Sequence, residues 1–149
     1  MDENSQQNPE QLQKLLWFVF LSSISVFYFI ANFTEMSQAN SSFPKFVLLG
    51  IATMMGLTSF YFRKKALSVF EDHNIEEAKK AQAVLSFSII TWAMSEFVAM
   101  VGFVTCITTG DLTMGNALIT VGLVMLGLYR PIVGSHNSLQ KSYKNDYKQ

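Results

Sequence analysis

The sequence has little charge and almost no cysteine. Asp, Glu, Lys and Arg make up 15% of the 149 residues and the net charge is zero, whereas about a quarter of a typical soluble domain is charged. Cys106 is the single cysteine, which excludes a disulfide framework or a thiolate metal site within one chain. His73 and His136 have no ligand cluster around them, and no basic tract is present. We therefore expect no metal, no cofactor and no nucleic-acid partner.

The residue patterns that carry enzyme chemistry are also missing. The sequence has no nucleophile beside a base, no pair of carboxylates and no glycine-rich phosphate-binding loop. Catalytic sites are recognised by such patterns. The sequence therefore predicts a protein that is not an enzyme.

Apolar residues make up 50% of the chain and are gathered into four stretches. Crossing about 30 Å of hydrocarbon takes roughly 20 helical residues. Four such stretches would leave too little polar chain to cover them as the core helices of a soluble protein. The first could instead be a secretory signal, but its apolar run exceeds the usual length of about 7 to 15 residues and no clear cleavage site follows it.

We therefore predict an all-α integral membrane protein in which residues 1–149 form a single membrane domain. Its four transmembrane helices are expected to form two hairpins, and the fourth reaches a sufficient length only with its flanks. The expected spans are about 13–33, 45–63, 81–109 and 112–133, with flexible termini at 1–10 and 135–149.

Lysine and arginine predict the orientation, because cytoplasmic segments carry an excess of both. The loop between spans two and three and the tail after span four hold nine of them, whereas the other two connections hold only Lys45. We expect an inner or plasma membrane location with both termini cytoplasmic. The third helix, capped by Asn74, should extend about 10 Å into the cytoplasm. The nine residues are Arg63, Lys64, Lys65, Lys79, Lys80, Arg130, Lys141, Lys144 and Lys148.

Glu96 is the single charged residue at membrane depth. It lies near the middle of the third span, where inserting an acidic group costs about 2.5 to 3.5 kcal/mol. No Lys, Arg or His occurs at comparable depth in the other spans, so its partner must be a hydroxyl, an amide, a carbonyl, a bound cation or a group on another chain. The candidate ion-binding residues are Glu96, Ser95 and Thr91. Polar residues that could face Glu96 or one another are Ser22, Ser23, Ser25, Tyr28, Asn116 and Thr120.

Small residues form a stripe along the third helix at helical spacing, and such stripes let membrane helices approach closely. Glu96 lies at the edge of this small-residue stripe, which suits a site shared between two helices or two subunits. We expect a homo-oligomer whose contacts use the stripe. Its members are Ser88, Thr91, Ser95, Ala99, Gly102, Cys106 and Thr109. The candidate helix-packing residues are Ser88, Ala99 and Gly102 on this helix and Gly50, Gly56 and Gly122 on its neighbours.

In the segment Ser95–Val104, Glu96 is followed by small and apolar residues and by Gly102 six positions on. This segment resembles the outer helix of the c subunit, the proteolipid of rotary ATP synthase and ATPase rotor rings. The preceding helix resembles the glycine-repeat inner helix of that family through Gly50, Ala52, Gly56 and Thr58. The resemblance implies a ring-forming subunit that binds a proton or cation at Glu96.

The resemblance covers about residues 46–109 only. The loop has no Arg-Gln-Pro, and Val101 stands where an aromatic residue is usual. Four-helix members of the family carry their carboxylate in the last span, whereas Glu96 is in the third. The hairpin is therefore c-subunit-like within a different arrangement of spans.

Two functions remain open. In the first, the chain is an oligomeric membrane subunit whose Glu96 binds a proton or cation. A proton is favoured over sodium because Phe97 and Val98 follow the glutamate, where a hydroxyl would help to complete a sodium shell. In the second, it is a structural or accessory protein that assembles with itself, with lipid or with other membrane subunits, and Glu96 is a packing residue without ion transport. One carboxylate and four spans cannot enclose a transport path in a monomer, so both functions predict assembly.

Overall fold

The computed structural model describes residues 9–33, 44–71 and 76–131, and every regular element among them is an α-helix. The prediction of an all-helical fold with four helices is confirmed. The expected flexible termini lie outside the described residues, except that residues 9 and 10 belong to the first helix, where a proline suits the first helical position. The helices are α1 (Pro9–Phe33), α2 (Lys45–Glu71), α3 (Glu77–Thr109) and α4 (Leu112–Leu128).

Three of the four helices are long and apolar enough to cross a membrane, over Gln11–Phe33, Lys45–Glu71 and Lys79–Thr109. Helix α4 is apolar but has 17 residues, a rise of about 25 Å against a hydrocarbon core of about 30 Å. Its expected continuation to residue 133 is not found: the helix ends at Leu128, shortly before Pro131, which disfavours helical backbone in the residue before it. Residues 132 and 133 lie outside the described part of the chain.

Helix α3 is the central element. Helices α2 and α4 pack along it in the antiparallel direction, whereas α1 runs parallel to α3 and also contacts α4. In the described residues α1 and α2 share no extensive contact, so the expected pairing of these two helices into a hairpin is not confirmed. The start of α1 and the end of α4 lie at the same end of the bundle, because Trp17 contacts Leu126.

Two apolar clusters place α3 in the middle of the bundle. One joins Trp92, Ala99 and Cys106 to α1 and α4. The other joins Val98 and Val101 to α2 and α4. Helix α3 is therefore covered on several sides, while the outer faces of α1 and α2 expose large apolar side chains that suit contact with lipid.

A two-residue connection reverses the chain between α3 and α4. Gly110 adopts the left-handed conformation, with φ of 66°, and its amide donates to Cys106, an arrangement that glycine allows at a helix end. Asp111 then caps α4 by accepting from the Met114 amide at 3.0 Å. At the other end of α3, the predicted cap Asn74 lies outside the described residues, and Glu76 makes no side-chain capping bond.

Candidate functional site

Glu96 projects toward α1. Its Oε1 accepts a hydrogen bond from Oγ of Ser23, and both side chains are half-buried. Both residues lie well inside helices that can span a membrane. Of the partners that the sequence left open for Glu96, the structure thus supplies a hydroxyl of the same chain.

Aromatic contacts hold α1 against α3 on either side of this hydrogen bond. The rings of Phe27 and Phe103 are stacked with centroids 5.4 Å apart, and Phe20 and Trp92 lie at 6.4 Å. The other serines of α1 that the sequence singled out, Ser22 and Ser25, donate to carbonyls of their own helix, and Tyr28 is exposed. Ser23 is therefore the polar group of α1 that the aromatic contacts bring to Glu96.

The other two candidate ion-binding residues are not joined to Glu96. The hydroxyls of Thr91 and Ser95 donate to the carbonyls of Phe87 and Thr91, at 2.7 and 3.0 Å. Both residues are fully buried. The Thr91 carbonyl lies 3.4 Å from Ser59 of α2, which places Thr91 at the α2 contact.

The small-residue stripe of α3 lies against α4 of the same chain. A Cβ added to Gly102 would lie 2.6 Å from the carbonyl oxygen of Gly115, and one added to Gly122 would lie 2.8 Å from both the Ser95 carbonyl oxygen and the Cβ of Ala99. The two backbones approach so closely that no side chain fits between them. Contacts between copies of the chain would have to use another surface.

The remaining candidate packing residues have different surroundings. A Cβ on Gly50 or Gly56 would meet nothing within 4 Å, because none of the four described helices covers that part of α2. Their packing role stays a prediction. Ser88 is fully buried, but its hydroxyl has no hydrogen-bond partner among the described residues.

Polar contacts between helices occur near the Gly110 end of the bundle. Asn32 and Asn116 exchange two amide hydrogen bonds, of 3.1 and 2.9 Å. Lys45 forms an ion pair with Asp111 at 2.8 Å, and this bond, with that from the Met114 amide, lowers the pKa of Asp111. Asn116 was a candidate from its sequence position, whereas Asn32 was missed. An amide close to the end of an apolar run was the signal for both.

Two indole groups connect α4 to its neighbours at the opposite end. Nε1 of Trp17 donates to the Leu126 carbonyl at 3.0 Å, and Nε1 of Trp92 donates to the Tyr129 carbonyl at 2.6 Å. Sequence reasoning missed both contacts, although a buried indole N–H usually has an acceptor. These bonds satisfy the Leu126 carbonyl in the last turn of α4 and the carbonyl of Tyr129, the C-cap residue, and carbonyls at a helix end have no partner within the helix.

Among the residues that the structure describes, no three His, Cys, Asp or Glu side chains lie together as a metal site would require. Comparison of the chain with protein-family models, with curated proteins and with solved structures found no match. The function has to be inferred from the geometry of the chain itself.

Proposed function

We propose that this chain is a small integral membrane subunit with a structural or accessory role, in which Glu96 positions α1 against α3. The observation that carries the proposal is the hydrogen bond between Ser23 and Glu96 within one chain. Polar contacts of this kind join neighbouring helices in membranes. The carboxyl group thus has a helix-packing partner in its own chain.

The charge distribution supports insertion in a membrane. Lys45 lies at the Gly110 end of the bundle and is paired with Asp111, whereas the other described lysines and arginines lie at the opposite end. Such an excess favours the cytoplasmic side, so the start of α1 and the end of α4 face the cytoplasm in this proposal. The residues at that end are Lys14, Arg63, Lys64, Lys65, Lys79, Lys80 and Arg130.

A cross-linking experiment tests the role of Glu96. Asn32→Cys and Asn116→Cys, in a Cys106→Ala background, place thiols on α1 and α4 where two side chains are in contact. The rate at which a short bifunctional thiol reagent cross-links them then reports how closely α1 stays with α4. Glu96→Gln should keep the wild-type rate because its amide oxygen can still accept from Ser23. Glu96→Leu and Ser23→Ala should both slow cross-linking, because α1 loses its polar contact.

Ser25→Ala is the matched control. Ser25 lies on the same helix, but its hydroxyl donates to the Leu21 carbonyl of α1, so its removal should leave the rate unchanged. Equal rates in Glu96→Leu, Ser23→Ala and Ser25→Ala would overturn the positioning role.

The outer face of α2 supports assembly with another chain. Gly50 and Gly56 have open space above them, next to the exposed side chains of Met54 and Leu57, and small residues between large ones admit a second membrane helix. Native mass spectrometry should detect an oligomer that Gly50→Leu or Gly56→Leu weakens. Gly127→Leu, at an equally open glycine of α4, is the control. A single-chain mass for the wild type would contradict self-assembly.

Proton binding at Glu96 is the second candidate function. The c-subunit resemblance supports it, as does the half-buried position of Glu96 between α1 and α3. The hydroxyls of Thr91 and Ser95 bond to their own helix, which favours a proton over a sodium ion as the exchanged species. Carbodiimide labelling of Glu96 should then fall as the pH rises, because the reagent attacks the protonated acid. No labelling at any pH at which the protein stays folded would exclude this candidate.

A further inference from the structure

Two buried polar atoms at the positively charged end of the bundle have no hydrogen-bond partner in the described part of the chain. They are Nη1 of Arg63 on α2 and Oγ of Ser88 on α3. Ser88 is 0% exposed, and no carboxylate pairs with Arg63 among the described residues. Because buried donors in folded proteins nearly always have acceptors, these two atoms indicate an acceptor that is not part of the described chain.

The packing of α2 on α3 places both residues at one level of the bundle, and Arg63 lies beside Tyr129. The rings of the residues that precede Arg63 and Ser88 are stacked with centroids 6.2 Å apart. Ser88 lies one turn before Trp92 on the same face of α3, and Trp92 bonds to the Tyr129 carbonyl. The Arg63 guanidinium lies 5.9 Å from the centroid of the Tyr129 ring. Arg63 therefore lies beside Tyr129, and Ser88 lies at the same level on a second helix.

This level of the bundle corresponds to the membrane surface. Arg63 is the first charged residue after the apolar run 46–62. Lys64 and Arg130 follow with exposed side chains, and tyrosine is typical of the headgroup region. A guanidinium held on an aromatic ring, together with a hydroxyl, offers several donors in fixed positions. The oxygens of a phosphate group match such donors well.

We propose that Arg63 and Ser88 bind the phosphate of an anionic phospholipid headgroup where α2, α3 and α4 meet. Arg63 supplies the charge and is oriented by Tyr129, while Ser88 donates a hydroxyl hydrogen bond to a phosphate oxygen. Arg130 adds positive charge at the rim. Basic sites between membrane helices on the cytoplasmic side bind such headgroups in other proteins.

The full chain in detergent can be titrated with phosphatidylglycerol or phosphatidylcholine, with the bound lipid counted by native mass spectrometry. Phosphatidylglycerol should bind more tightly than phosphatidylcholine. Arg63→Gln should weaken phosphatidylglycerol binding by about tenfold or more, as expected for the loss of a hydrogen bond to a charged group. Ser88→Ala should also weaken it, yet leave the lipid-free protein at least as stable thermally, because an unpartnered hydroxyl is removed.

Lys64→Gln is the matched control, since it removes one positive charge beside Arg63 from an exposed side chain. It should weaken binding far less than Arg63→Gln. Equal losses in the two variants would overturn the proposal in favour of general attraction to positive charge. Unchanged phosphatidylglycerol binding by Ser88→Ala would also overturn it, even if Arg63→Gln failed to fold. If inorganic phosphate alone raised the melting temperature of the wild type as much as phosphatidylglycerol does, the lipid headgroup would be excluded as the ligand.

Discussion

Gly122→Ala tests the close approach of α3 and α4. A Cβ at this position would lie 2.8 Å from both the Ser95 carbonyl oxygen and the Cβ of Ala99. Neither neighbour is the flexible end of a long side chain, so the two helices must separate by about half an ångström or more. Overpacking of this kind costs about 1 to 3 kcal/mol.

Gly127→Ala is the control because it adds the same methyl group to the same helix, where it would meet nothing within 4 Å. Replacing glycine by alanine within a helix favours the helix by about 1 kcal/mol. This contribution is common to both variants and cancels in their difference. Gly122→Ala should therefore be less stable than Gly127→Ala by about 1 to 3 kcal/mol.

The single cysteine provides the assay. Cys106 is buried, so a thiol-reactive fluorophore reports unfolding of the detergent-solubilised protein on heating. With about 2 to 4 °C per kcal/mol for a chain of this size, the midpoints should differ by about 2 to 12 °C. Equal midpoints, or a higher one for Gly122→Ala, would refute the packing of α4 on the small-residue stripe.

Two further contacts give direct predictions. The lowered pKa of Asp111 arises first from the Lys45 hydrogen bond. Lys45→Met should therefore lower the melting temperature by its full amount above pH 3.8, the ordinary aspartate pKa. The difference between the two proteins should vanish as the pH falls through the lower pKa that Asp111 has in the folded protein. Melting curves of both proteins between neutral and acidic pH measure this, and a loss that grew toward acid would contradict it. Trp92→Phe should destabilise by about 1 to 3 kcal/mol because the Tyr129 carbonyl loses its indole donor, and an unchanged melting temperature would show that another donor replaces it.

The sequence predicts the helices well because their signals are local. Apolar runs of sufficient length, the connection that begins at Gly110 and the lack of a breaker between Arg63 and Phe70 mark the helices directly. Helix α4 ends at Leu128, whereas the expected span includes apolar residues beyond Pro131, and proline disfavours helix in the residue before it.

The neighbours of each helix could not be read from the sequence in the same way. The glycines of α2 and of α4 carry the same signal, yet Gly122 lies against α3 and Gly50 lies against none of the other described helices. Likewise, four polar residues of α1 were equal candidates for Glu96, and only the aromatic contacts of α1 select Ser23. Which residues of two helices meet depends on the rotation of each helix about its axis, and a run of similar apolar residues leaves that rotation undetermined.

Magnitudes also indicate what Glu96 contributes. An acidic residue at the middle of a span costs about 2.5 to 3.5 kcal/mol, whereas leucine there is favourable by a few tenths. A hydrogen bond between membrane helices contributes about 0.6 kcal/mol on average and about 1.7 at most. The bond to Ser23 therefore does not offset the cost, and Glu96 is better explained as selecting the position of α1 than as stabilising the chain.

This reasoning predicts opposite changes in two measurements on one variant. Glu96→Leu should raise the unfolding midpoint reported by Cys106, because the cost of the acid is removed. In the Cys106→Ala background, the same substitution should slow cross-linking between cysteines at positions 32 and 116, because α1 is no longer held at one rotation. If Glu96→Leu instead lowered the midpoint, the hydrogen bond would contribute more than such bonds do elsewhere, and Glu96 would be a stabilising residue.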